Sequence, residues 1–590
     1  MYYSRKLHWQ FLEEELTAQT EAFNRKVGTS ASYLLHETGE LFVGMFLAIK
    51  ENGEMILKLS NARPLPRKGE YLYCMTLPPR FTDFRTWGDM TYGDLIRNKT
   101  DFSEIVCIWQ SPSDDPRFSL VGFRGMNLEF VQYIMEFPRA ILVMGPNKPP
   151  YEYMANLQEV IKNTVNGNIS AILDNDYSAS AWQPILLDQS KNIPGFMLTQ
   201  LNLSDVVILQ GPPGTGKTYL ISELCRNLAL QGKSVLVTAL TNRALMEIAL
   251  KSSMVDLLAE HRVFKTNLTY DESQECKDLQ SEKSLTPKPG CIELGTFYIT
   301  SGLAREVVDA PPFDYVIMDE ASQALLGMFA VCKALGKKNL WIGDVRQLPP
   351  VVEINEDRVR RRNYSALVHG LQTMTETSFF PIYQLLETRR LSHRASRYTS
   401  FFYNGNLKSI ASPFVPVNGF DIEEGPYLIK TDMKVGDITP YPGIALAKSL
   451  VMKLLMNKGL KIAVLTCMVK TSKALQKEIF GSIKSGHSNI TIDTVARIQG
   501  LTCDVTIFVI PNASLNRSLE PRLFNVATSR ASKHTFIIAD KDVGRYPLVD
   551  CTVKKYIDAL DKDQSCYVPC QEKPFPKLLP ANGNRLIELQ

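Results

Sequence analysis

The sequence predicts an α/β protein with two parallel sheets in tandem behind a helical and β-rich N-terminal region. After about residue 186, short continuous apolar runs such as 206–209 and 462–465 recur in two series, separated by helical segments. Such runs are typical of strands that are buried on both faces of a parallel sheet. Before that point the chain shows one helical pattern and then β-like runs separated by turns. These observations together predict three structural regions.

Length and composition predict a large globular protein. The chain has 590 residues, room for roughly four domains of about 150 residues each. Hydrophobic residues make up 45% and charged residues 22%, which excludes a disordered or collagen-like chain. The formal net charge, 66 − 62 = +4, neither indicates nor excludes a nucleic-acid partner. Cys566 and Cys570 have no second pair to complete a zinc site, and no apolar run is long enough for a membrane span, so we expect a cytoplasmic protein with reduced thiols and no membrane partner.

The elements predict the following order along the chain. Apolar residues at helical spacing predict an N-terminal helix within 1–30. Turn-separated runs between about 33 and 76 predict an accessory β-rich region, which we place over 31–185 although the pattern after residue 76 is mixed. The first α/β domain is expected over 186–378, with a polar surface insertion at about 266–290. The second α/β domain is expected over 379–548, followed by a C-terminal tail over 549–590.

A glycine-rich loop follows the first apolar run and precedes a helical segment, as phosphate-binding loops do. Backbone N–H groups of such a loop curl around phosphates at the positive end of a helix. Lys217 is expected to reach the β- and γ-phosphates of ATP, and the Thr218 hydroxyl to bind Mg²⁺. The predicted nucleotide-binding residues are Gly211, Pro212, Pro213, Gly214, Thr215, Gly216, Lys217 and Thr218.

Two carboxylates come directly after the predicted strand 315–318, at the edge of a parallel sheet where ligands bind. Asp319 is the expected partner of Mg²⁺. Glu320 can orient and deprotonate the water that attacks the γ-phosphate. An Asp-Glu pair alone is more often a solvated edge, but the preceding phosphate-binding loop favours a catalytic pair.

Three motifs in this order carry a resemblance to a known family. They are the loop 211–218, the run Asp-Glu-Ala-Ser-Gln at 319–323, and the run Gly-Asp-Val-Arg-Gln-Leu-Pro-Pro at 343–350. Over about 200–545 the chain resembles superfamily 1 helicases, in particular the 1B branch with the nonsense-mediated-decay helicase and the nidovirus helicases. The resemblance implies two tandem RecA-like domains that close on ATP, 5′-to-3′ movement on a single strand, and a possible strand-separating wedge in region 31–185.

The resemblance also implies roles for individual residues. Gln347 would sense the γ-phosphate, Arg389 and Arg530 would be arginine fingers, Gln189 would read adenine, and Gly500 would belong to a motif that couples phosphate and strand. Planar guanidinium groups suit the charge that develops on a transferring phosphoryl group. The implied contacts to the strand are Thr241, Asn242, Thr296, Pro349, Pro350 and Thr494.

The residues leave several alternatives open. Single-stranded DNA and RNA are both possible partners, because such grooves contact mainly the backbone. A nucleotide-dependent switch or assembly ATPase that never moves on a strand is a second class of function, and a translocase that remodels protein on nucleic acid is a third. The basic run 357–362 is equally compatible with a phosphate-binding surface and with an ordinary helix face.

Overall fold

The computed structural model has an N-terminal helix, a closed barrel and two parallel sheets in chain order. It describes residues 2–569 except 64, 68, 138–139, 164–168, 176–182, 189–191, 307–309, 379, 413–415, 421, 484–488, 499, 501, 548 and 564. No helix in this described part is long and apolar enough to cross a lipid bilayer.

The N-terminal region is a helix followed by a six-stranded antiparallel barrel of order β1-β2-β5-β4-β3-β6. Its helices are α1 (Arg5–Val27), α2 (Ala31–Tyr33), α3 (Tyr92–Arg97), α4 (Leu128–Glu136), α5 (Tyr151–Lys162) and α6 (Ser170–Leu173). Its strands are β1 (Phe42–Ile49), β2 (Met55–Ser60), β3 (Tyr71–Thr76), β4 (Asp101–Pro112), β5 (Phe118–Arg124) and β6 (Ile141–Pro146). Alternating residues such as Leu57, Leu72 and Val121 fill the barrel interior.

Nine parallel strands form the first sheet, of order β11-β10-β12-β9-β13-β14-β8-β15-β7. The strands are β7 (Ile185–Leu187), β8 (Val206–Gln210), β9 (Val235–Ala239), β10 (Val263–Thr266), β11 (Gln280–Glu282), β12 (Ile292–Thr296), β13 (Phe313–Met318), β14 (Gly336–Gly343) and β15 (Ile382–Leu385). The helices are α7 (Ile193–Leu203), α8 (Lys217–Leu230), α9 (Asn242–Ala249), α10 (Val255–Ala259), α11 (Tyr270–Glu275), α12 (Phe297–Glu306), α13 (Leu326–Leu335), α14 (Glu356–Arg361), α15 (Ser365–Val368) and α16 (Gly370–Thr377).

The apolar runs of the sequence become strands covered on both faces. In β8, Val206 and Ile208 pack into one core, whereas Val207 and Leu209 pack into the core on the opposite face. This follows from the two-residue period of a strand, which sends neighbouring side chains to opposite faces. The prediction of parallel sheets is confirmed.

A second, six-stranded parallel sheet has the order β20-β19-β21-β22-β18-β23, and β16 pairs separately with β17. The strands are β16 (Glu387–Thr388), β17 (Lys408–Ser409), β18 (Gly425–Thr431), β19 (Ile462–Thr466), β20 (Ile490–Thr494), β21 (Cys503–Val509), β22 (Ala531–Asp540) and β23 (Ser565–Tyr567). The helices are α17 (His393–Thr399), α18 (Tyr441–Leu454), α19 (Val469–Phe480), α20 (Leu515–Ser518), α21 (Pro521–Thr528) and α22 (Cys551–Asp563).

Two predicted boundaries differ from the structure. The first sheet continues past residue 378, because β15 pairs with β8 and β7. The segment 549–567 is not a free tail, because α22 packs on the second sheet and β23 pairs with β18. Both differences arise from pairing between strands that are distant in sequence, which local patterns do not encode.

The predicted polar insertion at 266–290 is not only a surface loop, because its segment around Tyr270 and Asp271 contacts the barrel. Lys265 is fully buried, and its ammonium lies 2.8 Å from the Glu272 carboxylate at the start of α11. Asp271 accepts a hydrogen bond of 2.8 Å from the barrel's Gly125 N–H. The Tyr270 N–H donates to the Met126 carbonyl at 3.0 Å. Polar residues here form contacts between parts of the fold, so their polarity does not mark a free surface.

The N-terminal helix is fixed to the first sheet by its acidic residues. The buried Glu15 carboxylate accepts hydrogen bonds from the backbone N–H groups of Glu353 and Ile354, at 2.8 and 3.0 Å. Glu14 forms an ion pair of 2.8 Å with Arg358 on α14. For the basic run 357–362, these contacts support a role in packing α14 against α1.

Candidate active site

The phosphate-binding loop joins β8 to α8, as its sequence predicts. Gly214 and Gly216 have φ values of +73° and +85°, a left-handed conformation that favours glycine. A Cβ atom on Gly214 would lie only 2.4 Å from the Arg390 Cβ. The Lys217 ammonium donates to the Gly211 carbonyl at 2.6 Å, inside the loop. The tight loop therefore leaves its lysine folded back over its own backbone.

Charges from both halves of the molecule converge on Lys217. Burial lowers the pKa of Lys217, the carboxylates of Asp344 and Asp319 raise it, and the guanidinium groups of Arg390 and Arg530 lower it. The pKa values of Lys217, Arg390 and Arg530 are all lowered by burial. Because uncompensated buried charges are costly, this cluster of cations favours the binding of an anion. The geometry is therefore suited to a polyphosphate.

The predicted carboxylate pair lies at the end of β13, beside this cluster. Asp319 is buried and accepts a hydrogen bond of 2.8 Å from the Glu320 N–H. Glu320 has φ +51°, a left-handed conformation that is rare for a non-glycine residue and typical of functional sites. Burial, together with the carboxylates of Asp319 and Glu247, raises the pKa of Glu320 to about 7. Its Oε2 has no hydrogen-bond partner among the described residues. Glu320 is thus a carboxylate able to take up a proton near neutral pH.

Arg530 comes from the second sheet's side and is almost fully buried. Its Nε donates to the Val526 carbonyl at 3.2 Å, whereas its Nη2 has no hydrogen-bond partner within the described residues. Burial lowers the pKa of Arg530 to about 10, and neighbouring Arg390 contributes. Its charge also interacts with the Glu320 carboxylate. One guanidinium nitrogen is therefore free to bind an anion.

The expectation for Arg389 needs a correction, because the neighbouring arginine lies at the loop. The Arg389 side chain is exposed, and its backbone N–H donates to the Gly214 carbonyl at 2.9 Å. Arg390 packs on Gly214, lies 3.5 Å from the Ser529 carbonyl through Nη1, and has a pKa lowered by burial. The two adjacent arginines look alike in sequence, and only the direction of the backbone after β16 distinguishes them.

Gln347 lies on the loop that follows β14. Its Nε2 donates to the Asp344 carboxylate at 3.0 Å. Gly500 is exposed, with φ +88°, and a Cβ there would lie 3.9 Å from Glu320 Oε1. Gln189 lies outside the described residues. Gln347 and Gly500 are thus brought to the edge of the same site.

The predicted strand contacts lie where parallel strands end. Thr241 accepts a hydrogen bond of 3.2 Å from the Ala244 N–H and caps α9, which leaves Asn242 exposed beside it. Thr296 ends β12, and Thr494 ends β20. Pro349 and Pro350 follow Gln347, and both are half-buried. Because the carboxyl ends of parallel strands share one edge, these residues line the same side of their sheets.

A cavity of about 350 Å³ opens beside Thr494. Lys470 and Arg517 contribute two positive charges to its lining. Sequence reasoning missed these two residues, since each is one of many isolated cations in the chain. It also missed Arg390, Tyr403 and Asn525.

Comparison with known proteins gives the following relatives. Residues 198–353 match the protein family described as AAA domain. The yeast Saccharomyces cerevisiae protein "DNA replication ATP-dependent helicase/nuclease DNA2" is 25% identical over 457 residues, covering 70% of this chain and 29% of that protein. The corresponding Schizosaccharomyces pombe protein is 33% identical over 156 residues, or 25% of this chain and 11% of that protein. Over these stretches the chain is similar to ATP-dependent helicase/nucleases.

This similarity confirms the resemblance to helicases drawn from the three motifs. The chain spans less than a third of the length of these two relatives. Among solved structures, an arterivirus nonstructural protein 10 (helicase) is similar, at 13% identity and a TM-score of 0.36, over 77% of this chain and 72% of that one. The matched stretch 198–353 contains the phosphate-binding loop, the carboxylate pair and Gln347.

Proposed function

We propose that the chain is an ATP-dependent helicase or translocase that hydrolyses ATP to move on single-stranded nucleic acid. The observation that carries this proposal is the meeting of Arg390 and Arg530 with Lys217 and Glu320 in one buried cluster. The arginines follow the first sheet in the chain, whereas the lysine and the glutamate belong to it. In this proposal the two sheets are RecA-like domains, and the site is complete only when both are in place.

ATP and Mg²⁺ suit the residues of this cluster. Arg530 Nη2 is a buried donor and Glu320 Oε2 a buried acceptor, each without a partner among the described residues. The charges of both side chains interact with Lys217 of the predicted loop. Unsatisfied buried groups of this kind are rare unless a ligand uses them. Thr218 and Asp319 would hold Mg²⁺, which supplies neutralisation of phosphate charge.

In the proposed reaction, the residues divide the work between binding and chemistry. Lys217 gives up its bond to the Gly211 carbonyl and contacts the β- and γ-phosphates. Ionised Glu320 orients the attacking water and accepts its proton. Arg390 and Arg530 stabilise the charge that develops on the transferring phosphoryl group. Gln347 contacts the γ-phosphate and so senses whether it is bound. Gly500 borders the site beside Glu320.

A single strand would lie along the carboxyl edges of both sheets. Asn242, Thr296 and the prolines at 349–350 would contact it on the first sheet, and Thr494 with Lys470 and Arg517 on the second. The names of the relatives favour DNA over RNA as the polymer. Movement from 5′ to 3′ and a wedge role for the barrel are part of the proposal through the family resemblance.

The deciding experiment is the ATPase rate with and without single-stranded DNA or RNA. We expect stimulation by a single strand, greater with DNA, and loss of ATP binding and turnover in Lys217→Ala. Lys233→Ala is the matched control, because Lys233 is exposed just beyond the other end of α8 and should keep parental activity. An ATPase that ignores every strand would favour the nucleotide-dependent switch, and a Lys217→Ala protein with parental turnover would exclude this site.

A further inference from the structure

A buried carboxylate links the loop that carries Gln347 to the helix that precedes Arg530. Asp344 is 1% exposed. Its Oδ1 accepts hydrogen bonds from Gln210 Nε2 at 2.6 Å and from the Arg346 N–H at 3.0 Å. Its Oδ2 accepts from Gln347 Nε2 at 3.0 Å and from the Tyr403 hydroxyl at 2.7 Å. Four donors therefore hold one buried carboxylate.

The chain of hydrogen bonds continues from Tyr403 into α21. The Tyr403 oxygen accepts a hydrogen bond of 2.9 Å from Asn525 Nδ2, which also donates to the Arg346 carbonyl at 2.9 Å. On the same helix, Arg522 Nε donates to the Val345 carbonyl at 3.2 Å. Helix α21 is thus attached at two points to the loop that follows β14, and Arg530 comes two residues after this helix ends.

Tyr403 is suited to a permanent position in this chain. Burial and the Asp344 carboxylate raise the pKa of Tyr403 well above its ordinary value, so the hydroxyl remains a donor. Its ring packs in the core of the second sheet. Gln347 donates to the same oxygen through one of the two N–H groups of its amide. If Gln347 turns towards a phosphate and releases Asp344, Tyr403 is the side chain that still holds Asp344 Oδ2.

We propose that Tyr403 is a positioning residue that connects the phosphate sensor Gln347 to the arginine finger Arg530 through Asp344 and Asn525. This inference rests on the proposed function for the roles of Gln347 and Arg530. The link itself is a property of the fold. Loss of the hydroxyl should leave ATP binding intact, because Tyr403 contacts neither the phosphate-binding loop nor Lys217 through any described hydrogen bond. It should loosen α21 and misplace Arg530.

The first measurement is amide hydrogen exchange over 521–530 in Tyr403→Phe, which keeps the ring and removes the hydroxyl. Loss of a hydrogen bond to a charged group changes an equilibrium constant by a factor of about ten or more. We therefore expect the local opening of α21, and with it the amide exchange rate, to increase by about tenfold or more. Tyr398→Phe is the matched control, because Tyr398 lies in the same core as Tyr403, and its hydroxyl donates to the Asp563 carboxylate of α22 at 3.0 Å rather than to the loop after β14. It should leave exchange over 521–530 at the parental rate.

The second measurement separates positioning from general destabilisation. With saturating strand, Tyr403→Phe should lower kcat about tenfold or more while KM for ATP stays within about threefold, since the defect lies in the transition state. Asn525→Ala removes the other end of the link and should give a similar defect. The double variant should lose no more than the larger single loss, because both changes break one chain.

Two results would overturn the inference: parental exchange over 521–530 in Tyr403→Phe, or equal acceleration in the Tyr398→Phe control. If Tyr403→Phe does not fold, exchange in Asn525→Ala decides between the same outcomes. A parent protein without ATPase activity would instead count against the proposed function. The exchange comparison still decides the link in that case, because it requires no turnover.

Discussion

The raised pKa of Glu320 predicts how ATP hydrolysis depends on pH. Burial, Asp319 and Glu247 all disfavour the ionised form of this carboxyl group, whose pKa is about 7. A general base must be ionised to accept a proton from water, so activity should rise as pH rises through this value. This pH dependence is opposite to that expected for an enzyme with an essential protonated histidine, whose activity would fall as pH rises over the same range.

The size of the effect follows from the ionised fraction. A group with a pKa of about 7 is about one tenth ionised at pH 6 and about nine tenths ionised at pH 8, so kcat/KM should rise about tenfold between them. The ratio kcat/KM is the useful quantity, because it reports the pKa values of the free enzyme. Glu320→Gln should lower turnover by about a hundredfold or more at pH 8 while ATP still binds.

Glu247 offers a test of the cause. Its carboxylate raises the pKa of Glu320 and is itself 3.5 Å from Arg243, which also pairs with Glu275 at 3.1 Å. Glu247→Gln should therefore shift the rise in kcat/KM to lower pH with little cost to folding. Initial rates at subsaturating ATP with fixed single strand, from pH 5.5 to 8.5, measure this directly. The Glu320→Gln profile shows any contribution from titration of ATP.

Three results would refute this reasoning. A parental kcat/KM that is flat between pH 6 and 8 would mean that Glu320 is not the titrating base. A Glu320→Gln variant that keeps the same rise would assign the dependence to another group. A loss of ATP binding in Glu320→Gln as severe as in Lys217→Ala would place Glu320 in binding.

Three further predictions concern the arginines and the strand. Arg530→Ala should lower strand-stimulated turnover by about a thousandfold or more and abolish the stimulation, while fluorescence anisotropy still shows strand binding; normal stimulation would make Arg530 a structural residue only. Arg390→Ala should lower kcat far more than Arg389→Ala, which serves as its control, and equal effects in steady-state ATPase assays would contradict the position of Arg390 on Gly214. A duplex with a 5′ single-stranded overhang should be unwound in preference to one with a 3′ overhang in a strand-displacement assay, and the reverse preference would contradict the branch assignment.

The sequence predicts best those features that depend on neighbouring residues. The phosphate-binding loop, its helix and the pair Asp319 and Glu320 follow from local motifs, and the structure places them as expected. The choice between Arg389 and Arg390 depends on which of two adjacent side chains faces the loop. No composition or spacing encodes that direction, because it is set by the pairing of β16 with β17 and by the contact with Gly214.

Features that depend on distant pairing were harder to predict. The barrel strands β4, β5 and β6 lie in a stretch that shows no clear local pattern, and the barrel closes only when β6 pairs with both β1 and β3. The segment around Lys265 and Glu272 is polar in sequence yet buried in the fold. A buried ion pair and two exposed charged residues consist of the same residue types, so the sequence alone does not reveal which pair is buried.

The attachment of the barrel to α11 has a consequence for modularity. Residues 42–146 form the closed barrel, but the residues that hold it in place, Tyr270 and Asp271, come much later in the chain. A Cβ on Gly53, in the turn between β1 and β2, would lie 2.5 Å from the Asp271 Cα. This turn therefore packs so closely against Asp271 that only glycine fits there. The barrel and the segment around Asp271 are therefore one structural unit formed by two separate stretches of the chain. A chimera that replaces barrel residues 42–146 must therefore also replace 263–276, or the new barrel will lack the residues that hold it against the first sheet.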